Sequence, residues 1–302
     1  MINFIQIDPN GLCNAGCWFC PVSIHGNPSE HKNQMPPELY ESIIKQIVDL
    51  KGELVSPRLH FVYASHYNEV LLYRYFEQML QTLQKHNLTL CLLTNGVPLT
   101  PNKIDLINKY PGVVSQIAIN APVYQRELFE KRTGMREKLF ETLITNIYYA
   151  QNNLLNKNIL LLQINGIDNR SNIIKLKDFP ELQPNELETQ TRIAKQLFPG
   201  ISVTTQWNLI DRAGLLQDVM ENPLPEGKVV GCSSKRDTEW LHVTPKGEVF
   251  LCCNDYNMDY VFGDLNKQTL KEIWTGQKRQ EVMQKAFGEI CTSCSVAIFN
   301  HE

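Results

Sequence analysis

Short apolar runs recur along the first two thirds of the chain, and segments with helical periodicity separate them. Six runs have the length and composition of buried strands: residues 2–7, 59–63, 88–93, 113–119, 159–164 and 201–205. One helix face between the first two runs carries Leu39, Ile43, Ile44 and Ile47. This alternation predicts an α/β fold in which helical crossovers join parallel strands, and the sheet either curls into a barrel or stays open.

Length, charge and hydropathy narrow the class of protein. A chain of 302 residues can form one large domain and a smaller one. The formal net charge is −3 and lysines and arginines are scattered, so we expect no nucleic-acid partner. Residues 2–7 follow no basic segment, which argues against an export signal, and no apolar stretch approaches the length of a membrane span. We therefore expect a cytoplasmic protein without a membrane partner.

Nine cysteines are the main chemical feature of the chain. In a reducing compartment they favour metal ligation or catalysis over disulfides. Cys13, Cys17 and Cys20 form a C-x3-C-x2-C set after the first predicted strand. Three thiolates can bind three irons of a [4Fe–4S] cluster and leave the fourth iron open to a ligand that is not protein. Zinc is the alternative, but the nearest extra ligands, His25 and His31, do not stand in a zinc-finger spacing.

A second cysteine set lies near the carboxyl end of the chain. Its members are Cys232, Cys252 with the adjacent Cys253, Cys291 and Cys294. Four thiolates can bind every iron of a second cluster, or they can hold one zinc ion. The spacing alone favours neither metal.

The first cysteine set resembles the signature of the radical S-adenosylmethionine (SAM) superfamily, in which an aromatic residue, here Phe19, precedes the last cysteine. The resemblance implies that SAM binds the open iron near Phe19. It also implies that an electron from the cluster splits SAM into methionine and a 5′-deoxyadenosyl radical. The expected fold is a partial (β/α)6 TIM-like barrel with the cysteines in its first strand-to-helix loop. Active sites lie at that end of such sheets.

The second set resembles the SPASM/twitch extension of the same superfamily, a small α+β unit that carries auxiliary iron–sulfur clusters. The similarity covers residues 240–255, 262–265 and 270–274. By the Gly-x4-Cys pattern we expect Cys252 to be the ligand, with Cys253 as the alternative. Only residues 295–302 follow Cys294, which implies the shorter twitch form with one auxiliary cluster, expected to be [4Fe–4S]. We predict a barrel at 1–215, a linker at 216–230 and the auxiliary domain at 231–302.

Two candidate SAM contacts follow the second and fourth strands. Glu69 lies in an Asn-Glu-x-Leu segment that resembles the end of the family's Gly-Gly-Glu-Pro-like stretch, which contacts the SAM amino group. The alternative is an acid that stabilises a helix amino terminus. Asn120 ends the fourth strand, where relatives present a serine or asparagine to SAM.

Two further candidates belong to the fifth strand and to the segment after the sixth. Gln163 is a polar residue within an apolar run, so it faces SAM or substrate or is a hydrogen-bonded core amide. Arg212 lies in a Trp-x4-Arg-x-Gly element seen in several subfamilies. Asp211 and Arg212 could instead form a surface ion pair.

The resemblance implies an oxidoreductase that removes a substrate hydrogen atom, with the auxiliary cluster assisting oxidation or rearrangement. Our first hypothesis for the substrate is a ribosomally made peptide or protein. A small alcohol, sugar or aminocyclitol is the alternative, and a non-catalytic iron–sulfur or zinc module is a remote one. Asp255, Tyr63, His25 and Glu69 are candidate substrate bases, but no spacing singles one out. Expected partners are a flavodoxin or ferredoxin reductant and a separate peptide-recognition protein.

Overall fold

The computed structural model describes residues 1–26, 33–167, 185–206, 211–216 and 226–300. The strands are β1 (Phe4–Ile7), β2 (Phe61–Tyr63), β3 (Thr89–Thr94), β4 (Val114–Asn120), β5 (Leu160–Asn165), β6 (Ser202–Gln206), β7 (Lys228–Cys232), β8 (Trp240–Val243), β9 (Glu248–Phe250), β10 (Val261–Asp264) and β11 (Ala297–Asn300). The helices are α1 (Pro21–His25), α2 (Pro37–Asp49), α3 (Phe76–Lys85), α4 (Pro101–Lys109), α5 (Arg126–Thr133), α6 (Leu139–Asn153), α7 (Glu186–Leu197), α8 (Arg236–Glu239), α9 (Leu270–Thr275) and α10 (Gln277–Gly288). Short 3₁₀ turns occupy Val70–Leu72, Lys157–Ile159 and Ile290–Ser293.

The main sheet has the order β10-β9-β8-β1-β2-β3-β4-β5-β6. Strands β1 to β6 are parallel and follow one another in chain order, as the sequence predicted. In β3, Leu90 and Leu92 are buried in the core, whereas the alternate residue Cys91 is half-buried on the other face of the sheet. The predicted helix faces are confirmed as well, since α2 buries Ile43, Ile44 and Ile47.

The carboxyl-terminal region extends this sheet instead of standing apart from it. Strand β8 pairs in parallel with β1, with Phe4 opposite Trp240 and Ile7 opposite Val243. Strands β9 and β10 continue it in antiparallel fashion, and β7 pairs with β11 in a separate ribbon. Residues 217–225 of the predicted linker lie outside the described residues, and the linker's last residues begin β7. The division into 1–215 and 231–302 therefore stays a proposal from sequence.

Within the described ranges, none of the helices combines the length and the apolar character that crossing a bilayer requires.

Candidate functional site

A cleft of about 1020 Å³ opens at the carboxyl ends of the parallel strands. This is the end of an α/β sheet at which ligands bind. The structure brings together there all the residues predicted to bind SAM or the first cluster: Cys13, Cys17, Phe19, Cys20, Glu69, Asn120, Gln163 and Arg212.

Helix α5 supports the loop that carries the first three cysteines. The Gly16 N–H donates to the Thr133 carbonyl at 2.7 Å, and the Trp18 N–H donates to the Arg132 carbonyl at 3.1 Å. Gly134 ends α5 with a φ of +66°, and a Cβ there would lie 3.2 Å from the Gly16 backbone nitrogen. The helix end and the cysteine loop are thus packed backbone to backbone.

The three thiols of this loop fit an iron cluster. The pKa of the Cys13 thiol is raised to about 12, mainly by burial and in part by the charges of Glu69 and Cys20. Burial likewise raises the pKa of Cys17, and its neighbours Cys20 and Cys13 add to the effect. Three neighbouring buried thiols cannot all ionise without a compensating charge, and bound metal supplies one.

Glu69 lies in the wall of the cleft with 1% of its surface exposed. Its carboxylate accepts hydrogen bonds from the Asn95 N–H at 2.8 Å and the Leu71 N–H at 3.2 Å. Burial raises the pKa of Glu69 to about 7, although these hydrogen bonds lower it in part. The residue caps the 3₁₀ turn at Val70–Leu72, as the second alternative drawn from the sequence predicts. It also lines the cleft, where its contact with SAM stays a prediction.

Neutral amides also line the cleft. Asn120 ends β4, and its Oδ1 is buried with no hydrogen-bond partner among the described residues. The Gln163 side chain donates to Asn165 Oδ1 at 3.4 Å and to Gln206 Oε1 at 3.3 Å. Amides offer donors and acceptors without charge, which suits hydroxyl and peptide groups of a ligand.

A second cavity, of about 340 Å³, lies under the carboxyl-terminal region. The four cysteines predicted to bind the auxiliary cluster all line it: Cys232, Cys252, Cys291 and Cys294. Cys253 does not. Instead its carbonyl accepts hydrogen bonds from His66 Nε2 at 2.9 Å and from the Tyr67 hydroxyl at 2.8 Å. This placement favours Cys252 over Cys253 as the ligand.

The cysteines of each set line a common space, as the ligands of a cluster with several irons do. Of the two histidines considered for zinc, His25 is exposed and His31 lies outside the described residues.

Arg212 lies between the two cysteine sites. It lines the cleft and an adjoining cavity of about 670 Å³, which meets the second cysteine cavity at Asn254. Its guanidinium carbon is 5.4 Å from the centre of the Tyr67 ring, and its charge interacts with Cys20 and Cys252. Arg212 is half-buried and Asp211 is buried.

Three candidate bases from the sequence lie away from the cleft lining. Asp255 is buried and accepts hydrogen bonds from the backbone of Asp259 and Tyr260, both at 3.0 Å, so its carboxylate holds a turn. Tyr63 packs on Phe4 with ring centres 4.8 Å apart. His25 is exposed and bonds to the Leu215 carbonyl at 3.0 Å. Residue type alone did not reveal these positions.

Other residues that line the cleft were not predicted from the sequence. Asn165 and Gln206 end β5 and β6 as Asn120 ends β4, so the same strand-end signal would have found them. No sequence pattern indicated that His66 would lie in the cleft. Its Nδ1 lies 3.5 Å from Asp8 Oδ2, and this pair has only 2% and 3% of its side-chain surfaces exposed.

The strand order, the three-cysteine loop beside a polar cleft and the second four-cysteine cavity define an iron–sulfur enzyme of the α/β class. The family model of the radical SAM superfamily matches residues 7–179, more than half of the chain. The chain belongs to this superfamily. A second family model, the SPASM iron–sulfur cluster-binding domain, matches residues 232–295. The protein is accordingly a radical SAM oxidoreductase that uses SAM and [4Fe–4S] clusters, with a SPASM domain after the barrel region.

Individual relatives give the same fold. In sequence, the chain is 20% identical over 282 residues to the S-adenosyl-L-methionine-dependent 2-deoxy-scyllo-inosamine dehydrogenase of Niallia circulans, covering 92% of this chain and 84% of that protein. In structure, it is similar to BtrN in complex with AdoMet and 2-DOIA, with a TM-score of 0.57 and 17% identity over 98% of this chain and 93% of that one. The anSMEcpe structure with bound AdoMet gives a TM-score of 0.59 and 14% identity, over 97% and 88%. Streptococcus suis SuiB bound to precursor peptide SuiA gives 0.56 and 15%, over 98% and 70%.

Proposed function

We propose that the protein oxidises a hydroxyl-bearing carbon of a small polyhydroxylated or aminated alcohol to a ketone. The neutral amide lining of the cleft carries this proposal, because Asn165, Gln163 and Gln206 can bond hydroxyl groups without a net charge. The sequence similarity to a dehydrogenase of an aminocyclitol, over most of both chains, supports the same substrate class.

The residues that would hold the cofactors follow from the two cavities. Cys13, Cys17 and Cys20 would bind the first cluster, and Cys232, Cys252, Cys291 and Cys294 the auxiliary one. When bound, SAM and the two clusters supply a 5′-deoxyadenosyl radical that removes the substrate hydrogen atom, and an acceptor for the second electron.

The protein side chains orient the reactants and manage charge. Phe19, Glu69 and Asn120 would bind SAM from the wall of the cleft. Arg212 would place positive charge between the two cysteine sites. The backbone of α5 would keep the cysteine loop in place through Gly16 and Trp18.

Oxidation of an alcohol carbon also releases a proton, which solvent in the open cleft can receive. His66 lines the cleft, but its Nε2 donates to the Cys253 carbonyl and its Nδ1 lies 3.5 Å from Asp8 Oδ2, so both ring nitrogens already face protein groups. A flavodoxin or ferredoxin in the cytoplasm would supply the reducing electron.

The experiment is anaerobic reconstitution followed by incubation with SAM, dithionite and an aminocyclitol deuterated at each carbinol carbon in turn. We expect deuterium in 5′-deoxyadenosine from one position only, together with the matching ketone. SAM cleavage without deuterium transfer from any aminocyclitol or sugar tested would refute the substrate class while leaving the enzyme class intact.

A peptide substrate is the second candidate, and the edge of the sheet favours it. Strand β6 is the last strand of the sheet, and its outer side has no strand partner among the described residues. Three of its five residues, Ser202, Thr204 and Thr205, are exposed. A peptide could add to this edge as a further strand and enter the cleft near Gln206. A separate peptide-recognition protein would then deliver it, and deuterium transfer from a labelled peptide would establish this function.

A further inference from the structure

Arg236 is a buried cation with unmet hydrogen-bonding capacity. It begins α8 and has 8% of its surface exposed. Its Nε and Nη1 atoms have no hydrogen-bond partner among the described residues. A buried guanidinium without partners is costly, so an anionic partner is expected at these two atoms.

The four-cysteine cavity is where such a partner would lie. Arg236 lines this cavity together with Cys232, Cys252, Cys291 and Cys294. A tight turn, in which the Lys235 N–H donates to the Cys232 carbonyl at 2.9 Å, brings the arginine back over the cavity. The guanidinium carbon also lies over the Trp240 ring, 5.2 Å from its centre. This contact fixes the orientation of the guanidinium plane.

Other donors already point at sulfur atoms of the same cavity. The Asn254 N–H lies 3.4 Å from Cys252 Sγ, and the Asn254 side-chain amide lies 3.3 Å from Cys294 Sγ. Both donors therefore face sulfur atoms of the cavity that Arg236 also lines.

Asp237 is the acidic residue in the lining of this cavity. Burial raises the pKa of Asp237, and the positive charge of Arg279 lowers it in part. Arg279 also donates to the Asp237 carbonyl and stacks on Trp274, 4.0 Å from the ring centre. Asp237 thus interacts with Arg279, and Arg236 stays available to interact with a cluster in the cavity.

We propose that Arg236 donates N–H hydrogen bonds from Nε and Nη1 to sulfur atoms of the auxiliary cluster and thereby raises its reduction potential. Hydrogen bonds to sulfur and nearby positive charge both favour the reduced, more negative form of a cluster. Through these contacts Arg236 would set how readily the cluster accepts the electron that substrate oxidation releases. The inference rests on the proposed second cluster.

The test measures the midpoint potential of the auxiliary cluster in the full-length chain. A C13A/C17A/C20A background removes the first cluster, and electron paramagnetic resonance follows the potentiometric titration. We expect R236Q to shift the potential to a more negative value, by several times the shift caused by R279Q. R279Q is the matched control, because Arg279 is also an arginine stacked on tryptophan but does not line the cavity.

R236K separates charge from hydrogen bonding and guards against poor folding of R236Q. Lysine keeps the charge but cannot reproduce the two donors of the planar fork, so we expect a smaller negative shift. A wild-type potential in R236K, or equal shifts in R236Q and R279Q, would overturn the inference. Iron and sulfide are counted first: a background protein without iron would refute the second cluster itself, whereas an iron-replete R236Q with unchanged potential would refute only the role of Arg236.

Discussion

Asn120 is half-buried at the wall of the cleft, and its buried Oδ1 has no hydrogen-bond partner among the described residues. We expect Asn120→Ala to weaken SAM binding about tenfold, since one lost hydrogen bond is worth roughly 1 to 1.5 kcal/mol. Iron content should stay at the wild-type value. Equilibrium dialysis with labelled SAM measures the affinity, and Asn152→Ala, at an exposed position of α6, is the control. Unchanged affinity would place Asn120 outside the SAM site.

Glu69 gives the iron-free protein a specific dependence on pH. Burial raises its pKa to about 7 in the folded state, above the ordinary value of 4.5. The folded state therefore binds the proton more tightly, and the free energy of unfolding falls as pH rises from about 4.5 to about 7. Above that window this contribution is constant. Urea unfolding of the iron-free, reduced protein should show the loss in wild type and a smaller loss in Glu69→Gln, and equal pH slopes would contradict this account.

At the scale of elements, α5 and the cysteine loop form one unit. Gly134→Ala places a Cβ 3.2 Å from the Gly16 backbone and forces alanine into a φ of +66°. We expect a stability loss of about 1 to 3 kcal/mol and lower iron content at the first site. Gly112→Ala is the matched control, because its φ is +81° and no atom lies within 4 Å of the added Cβ. If both variants lose stability but keep full iron, α5 does not support the loop.

Some elements of the fold could be predicted from the sequence and others could not. Strands β1 to β6 and helix α2 were predictable, because each is coded by a local apolar pattern. The pairing of β8 with β1 was not, since its two strands are more than 230 residues apart and no local pattern encodes that contact. For the same reason the cysteine sets could be recognised as local motifs, whereas the position of Tyr63 depended on packing against Phe4 of the neighbouring strand.

The whole molecule is predicted to hold two clusters. Reconstituted wild-type protein should contain about eight irons, and the triple variant C13A/C17A/C20A about four, because each cluster has its own cavity and cysteines. Iron and acid-labile sulfide analysis with a zinc assay measures this. A triple variant without iron, or one that holds zinc, would show that the second cavity is not an iron–sulfur site.

The central claim is that the two cysteine cavities have separate tasks in one oxidation. The double variant Cys291→Ala with Cys294→Ala removes two ligands near the chain end and leaves the cleft residues in place. Circular dichroism must first show a native-like fold, since metal sites also stabilise structure. The decisive measurement is the ratio of oxidised product to 5′-deoxyadenosine, with a deuterated substrate. We expect 5′-deoxyadenosine that carries substrate deuterium and little oxidised product, and a folded double variant that forms product in the wild-type ratio would contradict the account.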